Sequence, residues 1–105
     1  MSASFAFKSN IACPVDDRPP LKNNQVANRH QLIPGTKIRV HKHQKPVLDA
    51  VVIDRPLKDH RFLCVPIQWI DANGKTMDGD LVLSMYSVVR QDDGSWNTKN
   101  WLEKI

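Results

Sequence analysis

Apolar and polar positions alternate along residues 36–42, and this alternation is the clearest structural signal in the chain. Ile38 and Val40 are the apolar positions. The positions between and beside them are basic: Lys37, Arg39 and His41. Because successive side chains of a β-strand point to opposite faces, the pattern predicts a strand with one buried face and one cationic face.

The remainder of the second half predicts further short strands. Runs rich in β-branched and aromatic residues predict strands over residues 47–53, 62–70 and 81–90, with a fifth over 95–98 and a short terminal helix or strand after it. Pro66 lies inside the third run, which predicts an edge strand or a bulge there. Asn73-Gly74 predicts the tightest hairpin of the chain, with a type I′ turn. Asp78-Gly79-Asp80 predicts a second turn or a bulge in the returning strand.

Five short strands, tight turns and no long helix predict an all-β fold. At this length a small barrel is an economical way to remove exposed sheet edges. The strand number and strand lengths resemble an SH3-like barrel, in the broad sense that includes Tudor-type modules, with an OB-like barrel as the alternative. A likeness at this level implies an architecture and carries no function.

Residues 1–34 differ from the rest, because their apolar residues are scattered without a period between four prolines. We therefore predict two parts, an irregular N-terminal arm over 1–34 and a small β-barrel domain over 35–105, which opens at the turn Pro34-Gly35. Within the arm, a short strand is predicted at residues 5–7 or 11–15, and a single helical turn within 25–31.

Composition narrows the class of protein. The chain has 105 residues, a formal net charge of +4 and an isoelectric point near 9.3. No window approaches the roughly 18 apolar residues of a membrane span, and no basic run precedes a long apolar run as in a signal peptide. We therefore expect a cytoplasmic protein that does not enter a membrane. Two distant cysteines, Cys13 and Cys64, are expected to be free thiols.

Basic residues indicate the class of partner. Within residues 37–45 the basic side chains have no acidic residue among them. A second cluster, formed by Arg55, Lys58 and Arg61, has Asp54 and Asp59 among and beside its members. Clustered cations suit a phosphate backbone, because affinity there comes from displaced counterions. We therefore predict a nucleic-acid contact; its residues are Lys37, Arg39, His41, Lys42, Lys45, Arg55 and Arg61. The alternative explanation of these basic residues is a solvated outer face of a strand, where alternating charges discourage edge-to-edge pairing of sheets.

Three tryptophans in a small domain indicate either core packing or an aromatic contact surface. Trp96 and Trp101 are the candidates for contact, because the segment between them is polar. They support the alternative function, a protein-interaction or oligomerisation module that docks through exposed aromatics and the N-terminal arm.

Catalytic and cofactor signals are weak. No serine or cysteine has a nucleophile-elbow pattern, and the paired aspartates flank glycines in turns. Four glycines assemble no phosphate-binding loop, so we predict no cofactor. His41, His43, His60 and Cys64 lack zinc-site spacing, and no metal site is predicted. A small hydrolase or ligand-binding barrel ranks last; its pocket would be lined by Trp69, Tyr86 and Trp96, with His41 or His60 as base. We predict no enzymatic activity.

Overall fold

The computed structural model describes residues 18–105, which form one antiparallel β-sheet with two short 3₁₀ turns. Within that range the strands are β1 (Lys37–His41), β2 (Leu48–Val52), β3 (Leu57–Asp59), β4 (Phe62–Ile70), β5 (Thr76–Val82) and β6 (Trp101–Lys104). The 3₁₀ turns span Arg29–Gln31 and Leu83–Tyr86. The all-β class is confirmed, as are the strands predicted over residues 36–42, 47–53 and 62–70. The strand predicted at residues 5–7 or 11–15 lies outside the described residues.

β4 is the centre of the sheet. It pairs along one edge with β3 and β2 and along the other edge with β5. β2 pairs in turn with β1, and β1 pairs with β6. The sheet formed by the described strands does not close on itself. A barrel, whether SH3-like or OB-like, is therefore not confirmed.

Pro66 lies inside β4, which is a central strand and pairs with β5 in unbroken register, so the predicted edge strand or bulge is wrong. Its carbonyl oxygen accepts a hydrogen bond from the backbone N–H of Ile53 at 3.0 Å. Because the nitrogen and the carbonyl of one strand residue point to the same side, the proline nitrogen also faces Ile53. Ile53 directly follows β2 and belongs to no strand, so the missing N–H falls beyond the end of the ladder between β2 and β4.

The segment before β1 belongs to the same hydrophobic core as the strands. Val26 and Leu32 are fully buried and pack in one cluster with residues of β1, β2, β4, β5 and β6. The backbone N–H of Val26 donates to the carbonyl of Leu102 at 2.8 Å, and that of Lys104 donates to Asn24 at 2.8 Å. Residues before β1 therefore line the free edge of β6, and the helical turn predicted there is present as the first 3₁₀ turn.

The strands predicted over residues 81–90 and 95–98 are wrong. Beyond Val82 the chain forms the second 3₁₀ turn, and Ser87 then adopts a left-handed conformation with φ of 63°. Residues 95–98 form no strand. The hydroxyl of Ser87 lies within hydrogen-bonding distance of the carbonyl oxygens of Asn97 and Asn100. The single O–H hydrogen of Ser87 is therefore shared between these carbonyls, which have no neighbouring strand to bond in the described part of the chain.

Asp78-Gly79-Asp80 lies inside β5 rather than at a turn or a bulge. A Cβ atom at Gly79 would lie only 2.9 Å from Cη2 of Trp69 on β4. The glycine therefore allows the indole to pack flat across β5, which is the close-approach use of glycine in a strand.

Asn73-Gly74 lies in the connection between β4 and β5, as predicted, but the predicted turn type is wrong. Gly74 has a positive φ of 79°, whereas Asn73 does not. The Asp71 carboxylate accepts hydrogen bonds from the backbone N–H groups of Asn73 and Lys75, each at 2.9 Å. This aspartate organises a connection of residues 71–75, whereas only residues 60–61 join β3 to β4. Asn73-Gly74 is therefore not the tightest hairpin of the described strands, and that prediction is also wrong.

Replacement of Gly74 by valine is expected to destabilise the domain by about 1–2 kcal/mol, because a β-branched residue is strained at positive φ. No atom lies within 4 Å of a Cβ built there, so backbone strain is the main cause. Thermal unfolding of Gly74→Val and Gly74→Asn tests this, since asparagine tolerates the left-handed region. Equal melting temperatures for the two variants would contradict the prediction.

Candidate nucleic-acid interface

The outer face of β1 carries Lys37, Arg39 and His41, but acidic side chains from both neighbouring strands face Arg39. This residue pairs in register with Asp49 on β2 and with Glu103 on β6. Its Nε lies 2.8 Å from Asp49 Oδ1, and its Nη1 lies 3.9 Å from Glu103 Oε1. The hydrogen bond raises the pKa of Arg39 and lowers that of Asp49, so both groups stay charged. The centre of this face is therefore charge-balanced.

His41 is also engaged within the sheet. Its Nε2 lies 2.9 Å from Glu103 Oε1, and its ring stacks on Trp101 with centroids 4.0 Å apart and planes 4° apart. The remaining predicted contacts of this region are exposed lysines that form no ion pair within residues 18–105: Lys37, Lys42 and Lys45.

A second basic surface is assembled from separate segments of the chain. Two adjoining depressions of about 310 Å³ each share Arg29 as a lining residue, and we call them together the cationic groove. Asp92 is the only acidic residue among the described residues that line it, and its Oδ2 lies 3.6 Å from Nε of Arg61. The strongly basic side chains of the groove are Arg29, Arg55, Lys58, Arg61 and Arg90.

The fold separates charges that the sequence interleaves. Asp54 and Asp59 lie beside the cations in the sequence but do not line the groove. Because neighbouring residues of β3 point to opposite faces, Lys58 faces the groove while Asp59 points away from it. Burial raises the pKa of the Cys64 thiol, and the charges of Asp59 and Asp80 raise it further. The negative charge of Asp59 therefore acts on the face of the sheet that carries Cys64 and Phe62, its register partner on β4.

Irregular segments position two of the arginines. Asn28 caps the first 3₁₀ turn, which carries Arg29, because its Oδ1 accepts a hydrogen bond from the backbone N–H of His30 at 3.0 Å. Arg90 donates to the carbonyl oxygen of Gly94 at 2.7 Å. Neither segment has a hydrophobic period that indicates where its side chains point. The predicted contact residues accordingly omitted Arg29 and Arg90. They also omitted Lys58, which lies on β3 within the second basic cluster of the sequence.

Trp96 and Trp101 line a cleft that residues 18–22 of the same chain fill. Cζ of Arg18 lies 4.4 Å from the Trp96 ring centroid, and Nζ of Lys22 lies 5.6 Å from that of Trp101. Two prolines of this segment also line the cleft, and the remaining cavity of about 30 Å³ has room for little more than a water molecule. Both predicted aromatic contacts are therefore half-buried beneath the protein's own segment.

Histidine and cysteine side chains do not converge in the described part of the chain. Among residues 18–105 no three His, Cys, Asp or Glu side chains lie close enough together to hold a metal ion. His60 lies on an exposed turn with Nε2 3.6 Å from Asp59. Cys64, on β4, is a free thiol.

The Cys64 thiol is expected to react with iodoacetamide more slowly than a free cysteine at pH 8. Its raised pKa keeps more of it as the unreactive thiol, and the reaction rate should increase only at higher pH. The measurement is the alkylation rate against pH in a Cys13→Ser background. Asp80→Asn should shift the profile to lower pH, because one negative charge beside the thiol is removed. A profile equal to that of free cysteine would contradict this prediction.

Comparison with known proteins matched this chain to no family model, no curated protein and no solved structure. Among the described residues, no helix has both the length and the apolar character needed to cross a membrane.

Proposed function

We propose that this protein is a small non-enzymatic module that binds nucleic acid, with phosphates held in the cationic groove. The convergence of cations from separate segments around a single described acidic residue supports this function. Arg29, Arg55 and Lys58 form no ion pair within residues 18–105, so their charges are available to a ligand. Phosphates that replace counterions along such a groove provide affinity without any sequence preference.

The groove, rather than the outer face of β1, is the main phosphate contact in this proposal. Arg55 and Arg61, which the sequence predicted, line it. Arg39 and His41 face Glu103, so they offer less net positive charge to a ligand than their position in the sequence indicates. The exposed lysines at positions 37, 42 and 45 form a separate and weaker basic surface.

Binding of mixed-sequence oligonucleotides at two salt concentrations tests the proposal. Fluorescence anisotropy with labelled DNA and RNA of about 15 nucleotides, at about 50 mM and about 200 mM salt, gives the dependence of affinity on ionic strength. We expect binding at low salt that weakens steeply at high salt. Absence of binding at low salt, or affinity that does not change with salt, would contradict the proposed function.

A protein-interaction module is the second candidate, because the cleft of Trp96 and Trp101 already holds an arginine and two prolines. If residues 18–22 of one copy occupy the cleft of another, the protein forms a dimer by segment exchange. Light scattering over a range of protein concentrations tests this candidate. A monomer at every concentration would contradict it.

For the architecture we propose that the sheet is related to an SH3-like barrel, even though the described strands do not close into one. The observations that support it are the return of β6 to the side of β1 and the 3₁₀ turn that directly follows β5.

A further inference from the structure

Phe62 separates the cationic groove from a second depression of about 400 Å³. It is the first residue of β4, its side chain is 39% exposed, and Cζ of Arg61 lies 5.2 Å from its ring centroid. The second depression, which we call the Met85 pocket, has apolar walls of Phe62, Val82 and Met85 and polar residues Ser84, Gln91, Asp92 and Asp93. Met85 is 49% exposed, so an aromatic and a thioether side chain are both open to a ligand.

The two depressions differ in charge. The cationic groove has five strongly basic side chains, whereas the described residues of the Met85 pocket include no basic one. Asp93 accepts hydrogen bonds from the backbone and hydroxyl of Ser95, which lower its pKa and keep it ionised. A phosphate is therefore repelled from the Met85 pocket, while an uncharged planar group with hydrogen-bond donors fits it.

We infer that the groove and the pocket together bind single-stranded nucleic acid, with one unstacked base on Phe62 in the Met85 pocket and flanking phosphates at Arg29, Lys58 and Arg61. This inference rests on the proposed function. An aromatic face beside a cationic groove is the arrangement that binds single strands, because every base offers a face for stacking. The bases of an intact duplex are paired and stacked, so they do not reach such a pocket.

The carboxylates of the pocket discriminate between the two pyrimidine bases of DNA. A carboxylate accepts a hydrogen bond from the N4 amino group of cytosine, whereas thymine presents an oxygen at the equivalent position. Asp92 lines both depressions and therefore lies between the phosphates and the base edge. The pocket accordingly favours cytosine over thymine.

The test compares three probes of about 15 nucleotides at one low salt concentration: oligo(dC), oligo(dT) and a mixed-sequence duplex. Electrostatics alone favours the duplex, because its charge density is higher. Stacking on Phe62 favours the single strands instead. We expect oligo(dC) to bind several-fold more tightly than oligo(dT), and both to bind more tightly than the duplex.

Two substitutions assign the preference to residues of the pocket. Phe62→Leu is expected to lose about tenfold in affinity for oligo(dC), whereas Phe62→Trp, which keeps an aromatic face, should retain it. Asp92→Asn should remove the discrimination between oligo(dC) and oligo(dT) without weakening binding, since it also removes a negative charge near the phosphates. Circular dichroism and the melting temperature of each variant confirm that it is folded.

The outcomes separate the inference from the proposed function. Salt-dependent binding in which the duplex binds as tightly as the single strands overturns the inference and leaves the proposed function in place. Equal loss in Phe62→Leu and Phe62→Trp also overturns it. Single-strand preference without discrimination between the two oligonucleotides overturns the assignment of cytosine. Absence of salt-dependent binding to all three probes overturns the proposed function itself.

Discussion

Reversal of the charges of Arg29 and Lys58 together is expected to weaken nucleic-acid binding about 10- to 100-fold at low salt. Two phosphate contacts are lost and two repulsive charges replace them, while the dependence of log affinity on log salt should decrease by roughly 1.4 for a single strand. Arg29 and Lys58 line the cationic groove and have no ion pair in the described part of the chain, so their reversal breaks no internal contact between charges. Fluorescence anisotropy over a range of salt concentrations measures both effects.

Lys37→Glu with Lys45→Glu is the matched control. It makes the same change in net charge on exposed side chains that lie outside the groove. We expect a loss of no more than about threefold, because only the general attraction of the protein is reduced. Equal losses in the two double variants would show that affinity follows net charge and that the groove has no special role. A larger loss in the control would place the contact on β1 and its loop.

Leu32→Ala is expected to destabilise the fold by about 2–5 kcal/mol, although residue 32 precedes the first strand. Its side chain is fully buried in the cluster that includes Val26 and Leu102, so alanine leaves a cavity inside the core. At the size of this domain the melting temperature should decrease by about 10 °C or more. Thermal unfolding followed by circular dichroism is the measurement.

Leu21→Ala supplies the control for this variant, because it makes the same change in the same segment at a side chain that is 48% exposed. Its effect should stay within about 0.5 kcal/mol. If Leu32→Ala were equally harmless, the segment before β1 would be an appendage of the sheet. A large effect shows instead that a chain starting at residue 35 lacks part of its core.

Local signals in the sequence predicted the strands whose two faces differ. β1, β2 and β4 occur where alternation and β-branched residues place them, because the period of a strand is set by its backbone alone. Asn73-Gly74 marked its connection for the same local reason, although the carboxylate of Asp71 determines the turn type. Gly79 shows the limit of such signals, since only its contact with Trp69 explains a glycine inside β5.

The sequence by itself determined the all-β class, the positions of three strands and the basic character of the chain. Tertiary structure decided where that charge acts. The uniformly basic run on β1 faces Asp49 and Glu103, which pair with Arg39 from two neighbouring strands. The mixed cluster around Lys58 became a cationic groove, because its aspartates do not line it while arginines from distant segments do. Periodicity is a property of neighbouring residues, whereas the sign of a surface depends on side chains that meet only when strands pair and the chain packs.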